Sequence, residues 1–138
     1  MSYILLVEDD QQLADMVREL LSAEGFAVRH ALVASKGLAI ARQESPGLIL
    51  MDLDLPDLNG MTMARIIRQR LGRRTPPMVA ITGHVDGAHR QSAKQAGCRT
   101  FLAKPFTPQE LIHTVKYFME QQADAEEQTF RERGEQKK

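Results

Sequence analysis

One stretch of this chain, Gly47-Leu48-Ile49-Leu50-Met51-Asp52-Leu53-Asp54-Leu55-Pro56, leaves little freedom in what it can fold into. A continuous apolar run bounded by Gly and Pro predicts a strand buried on both faces, the situation inside a parallel sheet covered by helices on either side. Asp52 then falls at the carboxyl end of that strand, where open α/β sheets keep their ligand crevice. A carboxylate there can be a nucleophile, a metal ligand or a helix cap. The strand alone does not choose.

The rest of the chain repeats the theme. Tyr3–Val7, Phe26–Val28, Met78–Thr82 and Thr100–Ala103 read as four further strands. Between them, Leu13, Met16, Val17, Leu20 and Leu21 recur at spacings of three and four and predict an amphipathic helix closed by Gly25. Weaker helices are expected over about residues 34 to 43, which must tolerate Gly37, and about 60 to 71, after Asn59-Gly60. Gly83–Ala96 has few large apolar residues and predicts a short, loosely anchored helix. Thr107-Pro108-Gln109-Glu110 is a capping box that opens a last helix striped by Leu111, Ile112, Val115, Phe118 and Met119. Five strands alternating with five helices predict an α/β, doubly wound, five-stranded parallel sheet with helices on both faces.

Composition narrows the class. At 138 residues the chain fits one domain that buries roughly two-thirds of its unfolded surface. Eighteen basic residues balance eighteen acidic ones, so neither direct nucleic-acid binding nor an anionic membrane surface is expected. A single Cys98 excludes an internal disulfide, and no apolar run approaches the length of a membrane span. With no basic leader before the first strand, a soluble, cytoplasmic protein is expected.

The predicted fold gathers Glu8, Asp9, Asp10, Asp52, Thr82 and Lys104 at one rim, because each follows an apolar run directly. Carboxylates crowded there repel one another and make a hard cation the natural guest; Mg²⁺ binds through one or two carboxylates plus water and phosphate oxygens. An ionised Asp52 needs no general base and can attack an activated phosphorus to give an acyl phosphate. The Lys104 ammonium and the Thr82 hydroxyl suit the phosphoryl oxygens.

The motifs Ile4-Leu5-Leu6-Val7-Glu8-Asp9-Asp10, Asp52-x-x-Leu55-Pro56 with Gly60, Ala80-Ile81-Thr82-Gly83 and Phe101-x-x-Lys104-Pro105 stand in this order on these strand ends. Together they resemble the receiver domain of two-component response regulators, over about residues 2 to 121. The resemblance implies a flavodoxin-like strand order of 2-1-3-4-5, a receiver domain over residues 1–121, and a polar helix extension or disordered tail over 122–138. It implies Asp52 as phospho-acceptor, Lys104 as the phosphate-contacting lysine, Thr82 as the switch hydroxyl and Phe101 as the switch aromatic. Asp9, Asp52, Glu8 through water, and the backbone carbonyl of Asp54 would hold Mg²⁺, with Mn²⁺ as a substitute. Asp54 and His84 would face the water that hydrolyses the phosphoryl group and set its lifetime, in a direction the sequence leaves open. The implied partners are a sensor histidine kinase or histidine phosphotransfer protein and a downstream protein meeting helix four, strand five and helix five; a homodimer through that surface is a further option. The chain would then be a signalling switch rather than an enzyme, catalysing only its own phosphorylation and dephosphorylation.

Plainer readings compete at several positions. Asp10 is equally an N-cap of the first helix. Thr82 alone is an ordinary strand residue, Lys104 an exposed charge and Phe101 a core ring. His30, His89 and His113 lack metal-ligand spacing and read as surface residues, and the Arg68, Arg70, Arg73 and Arg74 cluster as a solvated helix end. Two rival functions remain. Asp52-Leu53-Asp54 also matches the opening of haloacid-dehalogenase-type phosphatases, although that family carries it on its first strand, and an unreactive receiver-like interaction module is the other.

Overall fold

The structure, a computed structural model, describes residues 2–55, 59–84 and 86–121. Pro56 and the expected tail over 122–138 lie outside the described residues. Five strands, β1 (Ile4–Val7), β2 (Val28–Ala31), β3 (Leu48–Asp52), β4 (Met78–Thr82) and β5 (Thr100–Ala103), form one parallel sheet in the order β2-β1-β3-β4-β5. The helices are α1 (Gln11–Ala23), α2 (Ala34–Gln43), α3 (Gly60–Leu71), α4 (Gly87–Ala96) and a last helix, α5, over 108–121. Among the described residues, no helix is long and apolar enough to cross a membrane.

Strand periodicity sorts the core into two layers. Leu5, Val7, Ile49, Met51, Met78 and Ala80 pack against Ala34 and Ala41 of α2, Met63 and Ile67 of α3, and Ala93 and Ala96 of α4. Their strand neighbours Ile4, Leu6, Leu48, Leu50, Val79, Ile81 and Leu102 pack on the opposite face against α1 and α5. This two-sided burial is what the central run demanded.

Edges and ends differ from the sequence expectation. The second strand was expected at Phe26–Val28 but forms at Val28–Ala31, through Arg29 and His30. It is an edge strand, so only one side of its backbone ladder needs a partner and polar side chains are tolerated. A 3₁₀ turn over Gly72–Arg74, which no motif announced, follows α3. Helix α4 starts at Gly87 because the Asp86 side chain accepts the His89 N–H and caps it.

Two glycines fix local geometry, Gly60 at the rim and Gly97 at the opposite end of the sheet. A Cβ on Gly60 would lie 2.7 Å from both the Asp52 carbonyl oxygen and Leu53 Cα, so the start of α3 presses directly on the end of β3. Gly97 closes α4 at φ 109°, in the left-handed region that only glycine adopts without strain.

Candidate functional site

The β1–β3 register, which aligns Val7 with Met51, brings Glu8 and Asp52 side by side at the rim. By the same alternation Glu8 continues the Ile4–Leu6 face, Asp52 the Leu48–Leu50 face and Lys104 the Leu102 face, all on the α1/α5 side of the sheet. Lys104 Nζ lies 3.0 Å from Asp52 Oδ2 and 3.1 Å from Glu8 Oε1. The Asp52 contact is a formed hydrogen bond. The Glu8 contact lacks hydrogen-bond alignment, which leaves Glu8 Oε1 buried without a donor among the described residues.

Electrostatics split the two carboxyls. Glu8 has no solvent exposure, and that burial, followed by the adjoining Asp52 carboxylate, pushes its carboxyl up to about 8. Burial also works to raise Asp52. The hydrogen bonds from Glu8, the Asp54 N–H and Lys104 outweigh it and hold Asp52 below the usual range. Burial works to lower Lys104, and its two carboxyl partners raise it instead. Without a metal ion, burial and the adjoining Asp52 carboxylate therefore favour the protonated form of Glu8, and Lys104 favours the ionised form of Asp52. A buried, nucleophilic carboxylate results.

Glu8, Asp9 and Asp52 each bring one carboxylate oxygen within 4.8 Å of the others, and Asp9 is exposed at the mouth. Three carboxylate oxygens converging on one point are hard donors that fit a hard divalent cation of the Mg²⁺ kind. Asp10 is separate: its Oδ1 accepts the Leu13 N–H at 3.2 Å and caps α1, so the plainer reading holds there.

Thr82 and Phe101 turn toward the opposite, α4 side. Thr82 is buried, and its hydroxyl oxygen accepts the His84 N–H at 2.9 Å. Phe101 is half-buried against the α2–α4 layer, with the Arg90 guanidinium 4.6 Å above its ring. The Asp54 N–H donates to Asp52 Oδ1 at 2.8 Å, which holds the Asp54 backbone against the acidic cluster. Its exposed carboxylate faces the exposed His84, with Nε2 and Oδ2 3.9 Å apart.

Three features escaped the sequence reading. His30, expected on the surface, is half-buried and its Nε2–H donates to the Glu8 carbonyl at 2.8 Å. His89 stacks on His84 with ring centroids 4.8 Å apart and planes inclined by 16°. Arg68 is exposed as expected, and its guanidinium also donates to the Gln95 carbonyl at 3.3 Å. Each contact joins residues that no local pattern pairs.

A doubly wound parallel sheet in this order, with an acidic cluster and a lysine at the carboxyl ends of its strands, defines a CheY-like α/β protein. The response regulator receiver domain family matches residues 4–116, and the chain belongs to it. It is 27% identical over 116 residues to the polar-differentiation response regulator DivK of Brucella ovis, covering 84% of this chain and 94% of that one. Among solved structures, the receiver domain of NtrX from Brucella abortus is 30% identical, with 85% of this chain and 98% of that chain covered and a TM-score of 0.76. A CheY-like receiver domain protein from Methanospirillum hungatei is 27% identical, with 91% and 98% covered and a TM-score of 0.83. This chain is thus a signalling receiver domain, and the phosphatase reading falls away.

Proposed function

We propose that this receiver domain accepts a phosphoryl group on Asp52 from a phosphohistidine of a sensor histidine kinase or histidine phosphotransfer protein. The Lys104–Asp52 contact of 3.0 Å beside the Glu8/Asp9 pair carries this reading, since it supplies an anionic acceptor and a cation for the incoming oxygens in one cluster. Glu8, Asp9, Asp52 and the Asp54 carbonyl would hold Mg²⁺ or Mn²⁺. When bound, the ion adds positive charge against the phosphoryl oxygens.

The protein's own part follows from the contacts. An Asp52 oxygen attacks phosphorus as the bond to the donor imidazole nitrogen breaks, and that nitrogen leaves with the electron pair and takes a proton. Lys104 exchanges part of its contact with Asp52 for a phosphoryl oxygen. Thr82 gives up the His84 N–H and turns its O–H toward another. Phe101 then moves into the space vacated, and the surface of α4, β5 and α5 repacks for a downstream partner. A charge-assisted hydrogen bond contributes roughly 1.5–3 kcal/mol, while reversing a 1:99 population needs about 5.5, so Thr82 acts together with Lys104.

The same reading extends to a domain over residues 1–121, to Asp54 and His84 beside the hydrolytic water, and to action in the cytoplasm. The test is intact mass before and after incubation with Mg²⁺ and acetyl phosphate. Wild type should gain one phosphoryl group and Asp52→Asn none. Sustained turnover of a phosphate ester, or uptake by Asp52→Asn, would overturn it.

A further inference from the structure

We propose that His89, anchored by Asp86, is a positioning residue for hydrolysis of the phosphorylated protein: it fixes the His84 ring opposite Asp54, so that the pair holds the attacking water. This rests on the reading of Asp52 as the phosphorylated residue. Asp54 is tied to that residue through its N–H, which donates to Asp52 Oδ1 at 2.8 Å. Its carboxylate faces His84 Nε2 at 3.9 Å, too long for a direct hydrogen bond and close enough for one water beside the pair to bond both.

The His84 side chain is 56% exposed, and its ring faces the Asp54 carboxylate and stacks on His89. An exposed imidazole left to itself samples several rotamers. The near-parallel stack on His89 removes that freedom. His89 is held at two points: its Nδ1–H donates to Asp86 Oδ2 at 2.6 Å, and its backbone N–H to Asp86 Oδ1 at 3.0 Å. Asp86 is in turn fixed as the N-cap of α4. Rigidity thus passes from the helix start through two rings to the water site.

In the step itself the water oxygen bonds to phosphorus while the bond from phosphorus to the Asp52 oxygen breaks, and its electron pair returns to the Asp52 carboxylate. The water's proton passes to the Asp54 carboxylate and on to solvent. His84 supplies the second contact that orients the water; it stays outside the bond changes.

The experiment phosphorylates the full chain with Mg²⁺ and acetyl phosphate, removes the donor, and follows phosphoryl loss by intact mass. His89→Ala should lengthen the half-life about threefold to tenfold, and His89→Phe, which keeps a stacking ring, should return it toward wild type. Asp86→Asn, which keeps the cap and weakens the ring anchor, should fall between. The His84 ring protons should lose their ring-current shift in His89→Ala and keep it in His89→Phe. An unchanged or shortened half-life in His89→Ala, or a lengthened one that Phe does not restore, would overturn the proposal while leaving Asp52 as acceptor. A wild type that takes up no phosphoryl group removes the acceptor reading, and the positioning role with it.

Discussion

Lys104 Nζ and Asp52 Oδ2 lie 3.0 Å apart although 52 residues separate them in sequence. The lysine side chain is about one-third exposed, the aspartate side chain almost fully buried. Lys104→Met keeps the aliphatic stem and removes the charge. It should slow phosphorylation by acetyl phosphate about a hundredfold, the scale of losing one preorganised charge-stabilising donor, and cost about 1–2 kcal/mol in urea unfolding. Intact mass against time checks the first, and a shift in the denaturation midpoint the second.

Glu8 makes metal-free stability depend on pH. Its folded carboxyl is raised to about 8 from the ordinary 4.5, by burial first and by Asp52 next. In the interval between those values the folded state binds more protons than the unfolded one. Its contribution is therefore fully present below 4.5 and lost as pH rises through 8. Asp52, held low, contributes in the opposite sense in a more acidic window. Without divalent metal, the urea midpoint should fall between pH 6 and 9, and Glu8→Gln should flatten that fall. Added Mg²⁺ should stabilise the wild type more at pH 8.5 than at pH 6, because binding displaces the Glu8 proton.

Gly60→Ala should cost about 1–3 kcal/mol, since its Cβ would meet backbone atoms of Asp52 and Leu53 at 2.7 Å, and backbone yields less than a side chain. It should also slow phosphorylation by shifting the end of β3. Gly83→Ala is the contrast: nothing lies within 4 Å of its Cβ and its stability should stay within about 0.5 kcal/mol of wild type. Thermal unfolding of the two variants checks both.

Asp10→Ala separates cap from site. Loss of the hydrogen bond to the Leu13 N–H should cost about 1 kcal/mol of stability. The extent of phosphorylation at saturating Mg²⁺ should not change, whereas Asp9→Ala should lower it. A phosphorylation defect in Asp10→Ala would return Asp10 to the metal cluster.

Much of this was legible because buried strands write themselves into sequence. β3, β4 and β5 lie where apolar runs end in Asp52, Thr82 and Lys104, and Thr107 caps the last helix as expected, with the Glu110 N–H donating to Thr107 Oγ1 at 3.1 Å. β2 was misplaced because an edge strand has no continuous apolar requirement to betray it. Helix α4 was expected to be loose for want of large apolar residues. It is short and ends at Gly97 as expected, and its start carries polar contacts of Asp86 and His89, which hydrophobic periodicity does not register.

Sequence alone determined the layered α/β class and the chemistry available at one rim, because periodicity and strand-end position are local properties of the chain. Tertiary structure decided what those groups are to one another: that the Glu8 carboxyl is pushed up while Asp52 is held low, that Asp10 serves its own helix, that His30 holds the Glu8 backbone, and that His84 leans on His89. Charge state and orientation depend on burial and on neighbours brought from tens of residues away. Neither exists until the sheet has closed around them.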